Sequence, residues 1–537
     1  QVYVDLGRAY EKGEQVQQAL DSYAQAAAKD PQYPTAFLRL GIVHSRRQDA
    51  AGANGALDKA EVLFQALGNI EGRTEVLYRR GILFRDAGKF AEAREQFQRA
   101  LDASRANGNE SQQVGALLEL GRLSYSEGAT LKAQQYANEA IEFAQQRGLD
   151  NLAARGLNNL GDALVVAGNY DEAERQYQKA LDLARKVRVP ALEAAGLRKL
   201  GNLHILQLRT EQGLKEVEQA LAFFQQNNYP RDVLVCLTYI GRVQRRRGDY
   251  ASALKTFEER LARARKSEDQ QEVATTYGET ATVLAEQERY TEALARYEEA
   301  YALWKSLSDR RNLAYNLMNR GNVLWRLGRY SEAEEALRQA KEAADQPDGR
   351  YKPVLAEIPL RGAEMALSRR RFPEAKALAE EAVKASAGTR YEGIYVEAKY
   401  TLGLAQALSG RTAEGRRSCE EAVEAAGRAG DAALLSRALL ALAQAELESG
   451  DAQSAQTHAS QARQRFTDAG QQESEWRAWL VAARASAVKG DHAAAQDQAS
   501  QARDVLSRLQ QKWGQEAFSS YLTRPDVQFS NKQLGGA

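Results

Sequence analysis

Four histidines, two cysteines and two runs of arginine are the residues from which chemistry would first be sought in this sequence. His44, His204, His458 and His492 are scattered, with no paired metal-ligand interval, and no Cys-x-x-Cys accompanies Cys236 and Cys419. Neither metal nor cofactor is expected. The histidines read as surface or packing residues, and Cys419, which replaces an aromatic found elsewhere at its position, reads as a small core residue. Every short glycine motif falls between two apolar-periodic stretches, which leaves none to cradle a phosphate. The many carboxylates belong to good helix formers and mostly have Arg or Lys nearby. Arg245-Arg246-Arg247 and Arg369-Arg370-Arg371 invite a nucleic-acid reading, but each ends a helical stretch, where positive charge suits the helix dipole, and acids surround both. The chain is therefore expected not to be an enzyme and not to bind nucleic acid.

Composition agrees. Lys plus Arg number 73 against 72 for Asp plus Glu in 537 residues, so no net field draws an anionic partner from a distance. Two cysteines provide no disulfide framework and fit a reducing, cytoplasmic setting. No apolar run is long enough to span a bilayer, so no membrane partner is expected. With 9 prolines and no Ser/Gly-rich linker, a continuous architecture is favoured.

The elements that would position any recognition site declare themselves by repetition. A small residue recurs at Gly7, Gly41, Gly81, Gly121, Gly161, Gly201, Gly241, Ala281, Gly321, Ala363, Gly403, Ala443 and Ala483, first after 34 residues, then mostly after 40, and once after 42. Twelve residues beyond each stands a second small residue, as at Ala93 and Ala173; seven further on stands a third, as at Ala100 and Ala180, with Arg260 the large exception. Leu157, Leu160, Leu164 and Val165, then Ala173, Tyr177, Ala180 and Leu181, give two amphipathic helices per unit. Between them lies a Gly-x-aromatic turn, such as Gly168-Asn169-Tyr170 or Gly248-Asp249-Tyr250. Its glycine supplies the left-handed conformation that ends a helix, while Asp171, Thr291 and Ser331 are placed to cap the next; Pro373 occupies the same position in its unit. The small residues mark close helix crossings, at which a long side chain such as leucine in place of Gly161 would overpack.

Leu6-Gly7, Tyr10, Ala19, Tyr23, Ala26 and Pro31 match one whole unit of the tetratricopeptide repeat, and the chain resembles that family over residues 1 to 502. The 40-residue spacing is similar to the long-repeat arrays of kinesin light chains, signalling scaffolds and some bacterial regulators, with the extra length expected in the second helix and the connection after it. The stretch QKWGQEAFSSYLTRPDVQ, residues 511 to 528, also resembles the tails of bacterial repeat-bearing Ser/Thr protein kinases. Counting back from Gly7 puts Gln1 inside a helix, so at least the first turn of that helix is expected upstream, and the tail resemblance, if it holds, implies a kinase or another output domain there. The resemblance implies an all-α, right-handed α-solenoid superhelix of about 13 hairpins. Trp513, Phe518, Tyr521 and Leu522 give a C-terminal capping helix that stops at Arg524-Pro525-Asp526.

It also implies where a ligand lies. First helices of such arrays line a concave groove through positions beside the marked glycine: here Asn159 and Asp162; Arg198, Lys199 and Asn202; Tyr239, Arg242, Arg245 and Arg246; Glu279; and Tyr315, Asn319 and Asn322. Intervals of three and four put each set on one helical face. Asparagine both donates to and accepts from a peptide backbone, and arginine selects acidic partners. The expected organisation is repeats with a groove over 1–344, Ala-rich repeats over 345–502 after the proline-containing break DQPDGRYKP, and a cap and polar tail over 503–537. The expected function is a protein-interaction scaffold or regulatory module that holds a peptide or protein segment. The alternative is a structural region that joins copies of a larger signalling protein, with homo-oligomer contacts through the C-terminal repeats.

Overall fold

The computed structural model describes every residue except 14, 48, 347, 348, 388–391 and 537. Among the described residues there are 28 helices, 13 successive helix–turn–helix units followed by two further helices. Two two-residue strands, Asp345–Gln346 and Gly349–Arg350, pair antiparallel after the ninth hairpin. The fold is all-α, and within each unit the helical hairpins stack as in a solenoid. Among the described residues no helix is long and apolar enough to cross a membrane. The hairpins group into two compact units: Gln1–Ile240 with Glu258–Val273 and Leu307–Asp309, and Gly241–Phe257 with Ala274–Ser306 and Arg310–Ala537. The break in register at 345 to 353 lies inside the second unit.

A 20-residue period underlies the 40-residue repeat. Helices such as Phe90–Ala106, Glu110–Ser126 and Thr130–Gln146 each span 17 residues, and three-residue turns join them. One turn residue is left-handed at every step of 20 from Gly68 to Gly328. Glycine takes this conformation at little cost, as at Gly168 with φ of 79°, but Arg188, Leu208, Asn228, Glu268, Glu288 and Ser308 also adopt it. Stacking on both sides holds the turn geometry even where the residue disfavours it.

Two local expectations are corrected. The longer repeat does not place its extra residues in the connection: compared with the first unit, the second helix grows from 14 to 17 residues and the next first helix from 13 to 17, while the connection shortens. The residue capping each second helix is not the one after the aromatic. Asp171 lies inside the helix Tyr170–Lys186, and capping falls to the middle residue of the turn motif where it is acidic. Asp49 accepts from the Gly52 amide at 2.9 Å and Asp249 from the Ser252 amide at 3.1 Å. From that position a carboxylate oxygen reaches the free amides of the first turn.

The marked small residues sit where helices touch. A Cβ on Gly81 would lie 2.6 Å from the Phe97 ring, one on Gly241 equally close to Phe257, and one on Gly161 inside the Tyr177 ring. Where both helices carry glycine the backbones themselves meet, with a Gly201 Cβ 2.7 Å from the Gly213 carbonyl oxygen. Cys419 is buried beneath Gly403, a packing role. Arg260, the exception to the alanine rule, lies buried with its Nε donating to the Thr238 hydroxyl at 2.9 Å and its Nη1 to the Glu272 carbonyl at 3.0 Å. Its guanidinium replaces apolar packing with hydrogen bonds that leave the long side chain satisfied.

The C-terminal region departs further from expectation. Pro525 starts a helix instead of ending one: after Gly514, Gln515–Leu522 and Pro525–Gly536 are both helical. Trp513 stacks near Tyr290 with ring centroids 5.2 Å apart and donates from Nε1 to the Glu288 carbonyl at 2.6 Å. The Glu288 side chain accepts from the Ser474 amide at 3.2 Å and the Ser474 hydroxyl at 2.6 Å, which caps the helix Gln472–Val488 from 186 residues away. Burial pushes the Glu288 carboxyl up to about 7, Glu473 beside it adding to the rise.

Gly161→Leu should lower stability by about 1–3 kcal/mol through overpacking, whereas Gly55→Ala, whose Cβ would meet nothing within 4 Å, should leave it unchanged or raise it by up to about 1 kcal/mol. Urea unfolding of both variants checks this. A buried carboxyl that binds its proton more tightly when folded loses stability as pH rises. The wild-type melting temperature should therefore fall relative to that of Glu288→Gln between pH 4.5 and about 7, and the two should run parallel above that range.

Candidate recognition site

Within the first unit, adjacent first helices touch and present the same register to one space. A cavity of about 420 Å³ opens there, lined by Asn159, Asp162, Lys199, Asn202 and Tyr239 of the residues selected from sequence. They come from the helices Asp150–Val166, Pro190–Leu206 and Pro230–Arg246. Relative to the marked glycine they stand two before, two after in no case, and one after it: Lys199 and Tyr239 precede Gly201 and Gly241 by two, while Asp162 and Asn202 follow theirs by one. Arg85, Tyr125 and Val165, each four residues after a marker, join them on the lining. That position is one helical turn further along the same face, and extending the spacing by four is the signal that would have found Arg85 and Tyr125.

Ion pairing organises the wall. Lys199 Nζ donates to both Asp162 oxygens, at 2.7 and 2.6 Å, and the Tyr177 hydroxyl donates to Oδ1 at 2.7 Å. Burial pulls the Lys199 ammonium below its ordinary range, an effect Asp162 only partly offsets. Burial and the neighbouring Asp162 charge both push the Tyr177 phenol up, so it stays a donor. Behind the wall, Glu119 accepts from Tyr78 at 3.2 Å and pairs with Arg85 and with Arg122 at 3.1 Å. Burial alone would raise the Glu119 carboxyl, but Arg122 and Arg85 outweigh it and hold it below the usual range. Asn159 donates to the Leu118 carbonyl at 3.4 Å, which leaves its own oxygen to the cavity; Asn202 makes no side-chain hydrogen bond among the described residues. The cavity therefore offers amide donors and acceptors on a wall whose charges are internally paired.

The other selected residues are distributed differently. Arg198 pairs with Asp232 at 3.5 Å, off this lining. In the second unit Arg242 pairs with Glu279 and Arg245 with Glu286. Burial, with Arg245 adjacent, pulls the Arg246 guanidinium down. Asn322 accepts from the Trp325 indole at 3.0 Å and from Arg326 at 3.3 Å, and Tyr315 packs against the apolar core. Asn319 is half-buried on the same helix. Arginines of the second tract are likewise engaged, Arg369 stacking on Tyr330 at 4.4 Å and Arg371 pairing with Glu374 at 3.6 Å.

Of the residues first suspected of chemistry, His204 and both cysteines are buried, while His492 is exposed. His204 is buried between Glu216 at 2.6 Å and Glu174 at 3.3 Å, and His458 contacts Glu446 at 2.8 Å. Among the described residues no three His, Cys, Asp or Glu side chains cluster as a metal site would require. Burial pushes the Cys236 thiol up to about 12 and raises that of Cys419 as well, which suppresses thiolate formation.

Models described as tetratricopeptide repeat match residues 112–186, 192–266 and 272–346, residues 4–66, and residues 75–103, together more than half of the chain. No curated protein matches. Similar solved structures include a Rap protein complexed with competence and sporulation factor, 15% identical over 64% of this chain and 96% of that one, with a TM-score of 0.43. The Cut9–Hcn1 hetero-tetramer of the APC/C is 15% identical over 89% of this chain and 95% of that one, TM-score 0.43. The apo quorum sensor NprR from B. thuringiensis is 13% identical over 66% and 98%, TM-score 0.43.

Asp162→Asn should strand the Lys199 ammonium. Because the pair is a fifth to a third exposed, a double-mutant cycle with Lys199→Met should return a coupling of about 1–3 kcal/mol, read from denaturant unfolding of the four proteins.

Proposed function

The chain belongs to the tetratricopeptide-repeat family, and from that premise we propose that it is a non-catalytic regulatory scaffold that holds an extended peptide or protein segment in the first-unit cavity. The observation that carries this reading is the register: successive first helices place side chains at equivalent positions on one wall. Packed helices lie about 8–10 Å apart and an extended chain advances about 3.3 Å per residue. Each helix thus meets the ligand about every third residue, a spacing suited to gripping backbone at intervals. Asn159 and Asn202 supply the grip, since an amide pairs with either half of a peptide group whatever the side chain. Lys199 and Asp162 neutralise one another, so the wall contributes hydrogen bonds without a dominant charge. The absence of catalysis is part of the proposal and is supported by the burial of both thiols and the carboxylate contacts of His204 and His458.

Peptides selected from a random library against the full chain should cross-link to a photoreactive residue placed at Asn202. Asn159→Ala with Asn202→Ala should weaken them by about tenfold or more, two hydrogen bonds contributing about 1 kcal/mol each. Selected peptides that bind the double variant as tightly as wild type would contradict the reading.

A further inference from the structure

The second unit holds a smaller cavity of a different character. It measures about 220 Å³ and is walled by the first helices Glu392–Leu408, Ala432–Glu448 and Gln472–Val488, with the C-terminal helix Pro525–Gly536 across it. Leu404, Leu440 and Leu480 make its body apolar. Six arginines also line it, and of the polar groups there Thr401 and Arg437 bear on what it could hold. Thr401 is 1% exposed and its hydroxyl has no hydrogen-bond partner. Arg437, its side chain 19% exposed, faces one carboxylate, Glu397, at 3.7 Å and makes no hydrogen bond among the described residues. Glu397 is already engaged by Arg361 at 2.6 Å.

The other carboxylates on the lining are committed. Glu448 accepts from Arg484 at 3.0 Å, Glu473 from Arg477 at 2.7 Å, Asp526 from Arg477 at 2.9 Å, and Glu364 from Arg361 at 2.8 Å. Arg437 thus reaches the cavity with one long ion pair and no hydrogen bond among the described residues, on the same lining as the Thr401 hydroxyl, which is buried without a partner. Buried polar atoms are almost always hydrogen-bonded, so the orphaned Thr401 hydroxyl, on the same lining as a guanidinium held only by a long ion pair, marks a place for an acceptor that arrives from outside.

We propose that this cavity binds a small carboxylic acid with an apolar, ring-sized body. The carboxylate accepts a forked pair of hydrogen bonds from Arg437, Thr401 donates to it or to a second oxygen, and the leucines cover the body. Volume sets the size: a cavity of about 150 Å³ lined by apolar side chains holds benzene, and the present one has room for the carboxylate as well. The C-terminal helix is the cover. Arg370 lies 3.6 Å over the Phe529 ring, and Arg477 holds Asp526, so the segment that closes the cavity is fastened by contacts on its rim. Ligand occupancy is thereby coupled to the docking of residues 525 to 536, which is distinct from peptide capture in the first unit.

The test is calorimetric titration of the full chain with benzoate, phenylacetate and 3-phenylpropanoate, each against its primary amide, with hydrogen exchange of residues 525 to 536 as a second readout. At least one acid should bind and slow exchange in that helix, its amide being about tenfold weaker or more. Arg437→Gln should abolish the preference for acid over amide and Arg437→Lys should restore part of it. Thr401→Val should weaken the acid without lowering the melting temperature of the unliganded protein, since it removes an unsatisfied buried hydroxyl. No binding by any of the acids at millimolar concentration, equal affinity for acid and amide, or undiminished binding to Arg437→Gln would each overturn the proposal.

Discussion

Contact between a residue without a Cβ, or with nothing beyond one, and the aromatic or aliphatic side chain of the opposite helix governs this molecule. Tyr177 lies where a Gly161 side chain would be, Phe97 over Gly81, and Phe257 over Gly241. Such a contact does more than permit close approach. It sets how each first helix is rolled about its own axis, because only one face carries the small residue. With roll settled, the residues one and four places beyond the glycine come onto the face that lines the cavity. Arg85, Tyr125, Asp162, Val165 and Asn202 line one cavity for that reason. The cavity wall is a by-product of the packing register.

The turns obey the same discipline. A left-handed residue every 20 positions from Gly68 to Gly328 keeps successive helices in phase, including those turns where Glu288 or Leu208 stands in place of glycine. Glu288 shows what such a position can also do. Its backbone closes one turn, its carboxylate caps a helix 186 residues away, and its carbonyl receives the Trp513 indole. A strained, buried, ionisable residue there ties hairpins that are remote in sequence within one compact unit, a kind of contact that a purely nearest-neighbour array lacks.

The repeat boundaries, the two helices per unit, the left-handed turn glycines and the role of the marked small residues were legible because each depends on interactions within about 40 residues. Five of the residues chosen for a groove, Asn159, Asp162, Lys199, Asn202 and Tyr239, lie together on one cavity for the same reason. What was hidden depends on long-range geometry. Arg242 and Arg245 look like groove cations in the sequence, but Glu279 and Glu286 from the next first helix neutralise them. Pro525 reads as a stop, yet it opens a helix, since a missing amide costs nothing at a helix start. Arg437 and Thr401 carried no motif at all; the orphaned Thr401 hydroxyl and the long ion pair of Arg437 are features that only packing reveals.

The account turns on the claim that packing register, repeated along the first helices, creates a wall that grips polypeptide backbone. A crystal structure of the chain with a selected peptide bound tests it most directly. The account predicts an extended peptide in the first-unit cavity, with its main-chain groups hydrogen-bonded to the side-chain amides of Asn159 and Asn202. Density for the peptide along the second helices, or in the cavity but held through its side chains alone, would contradict it.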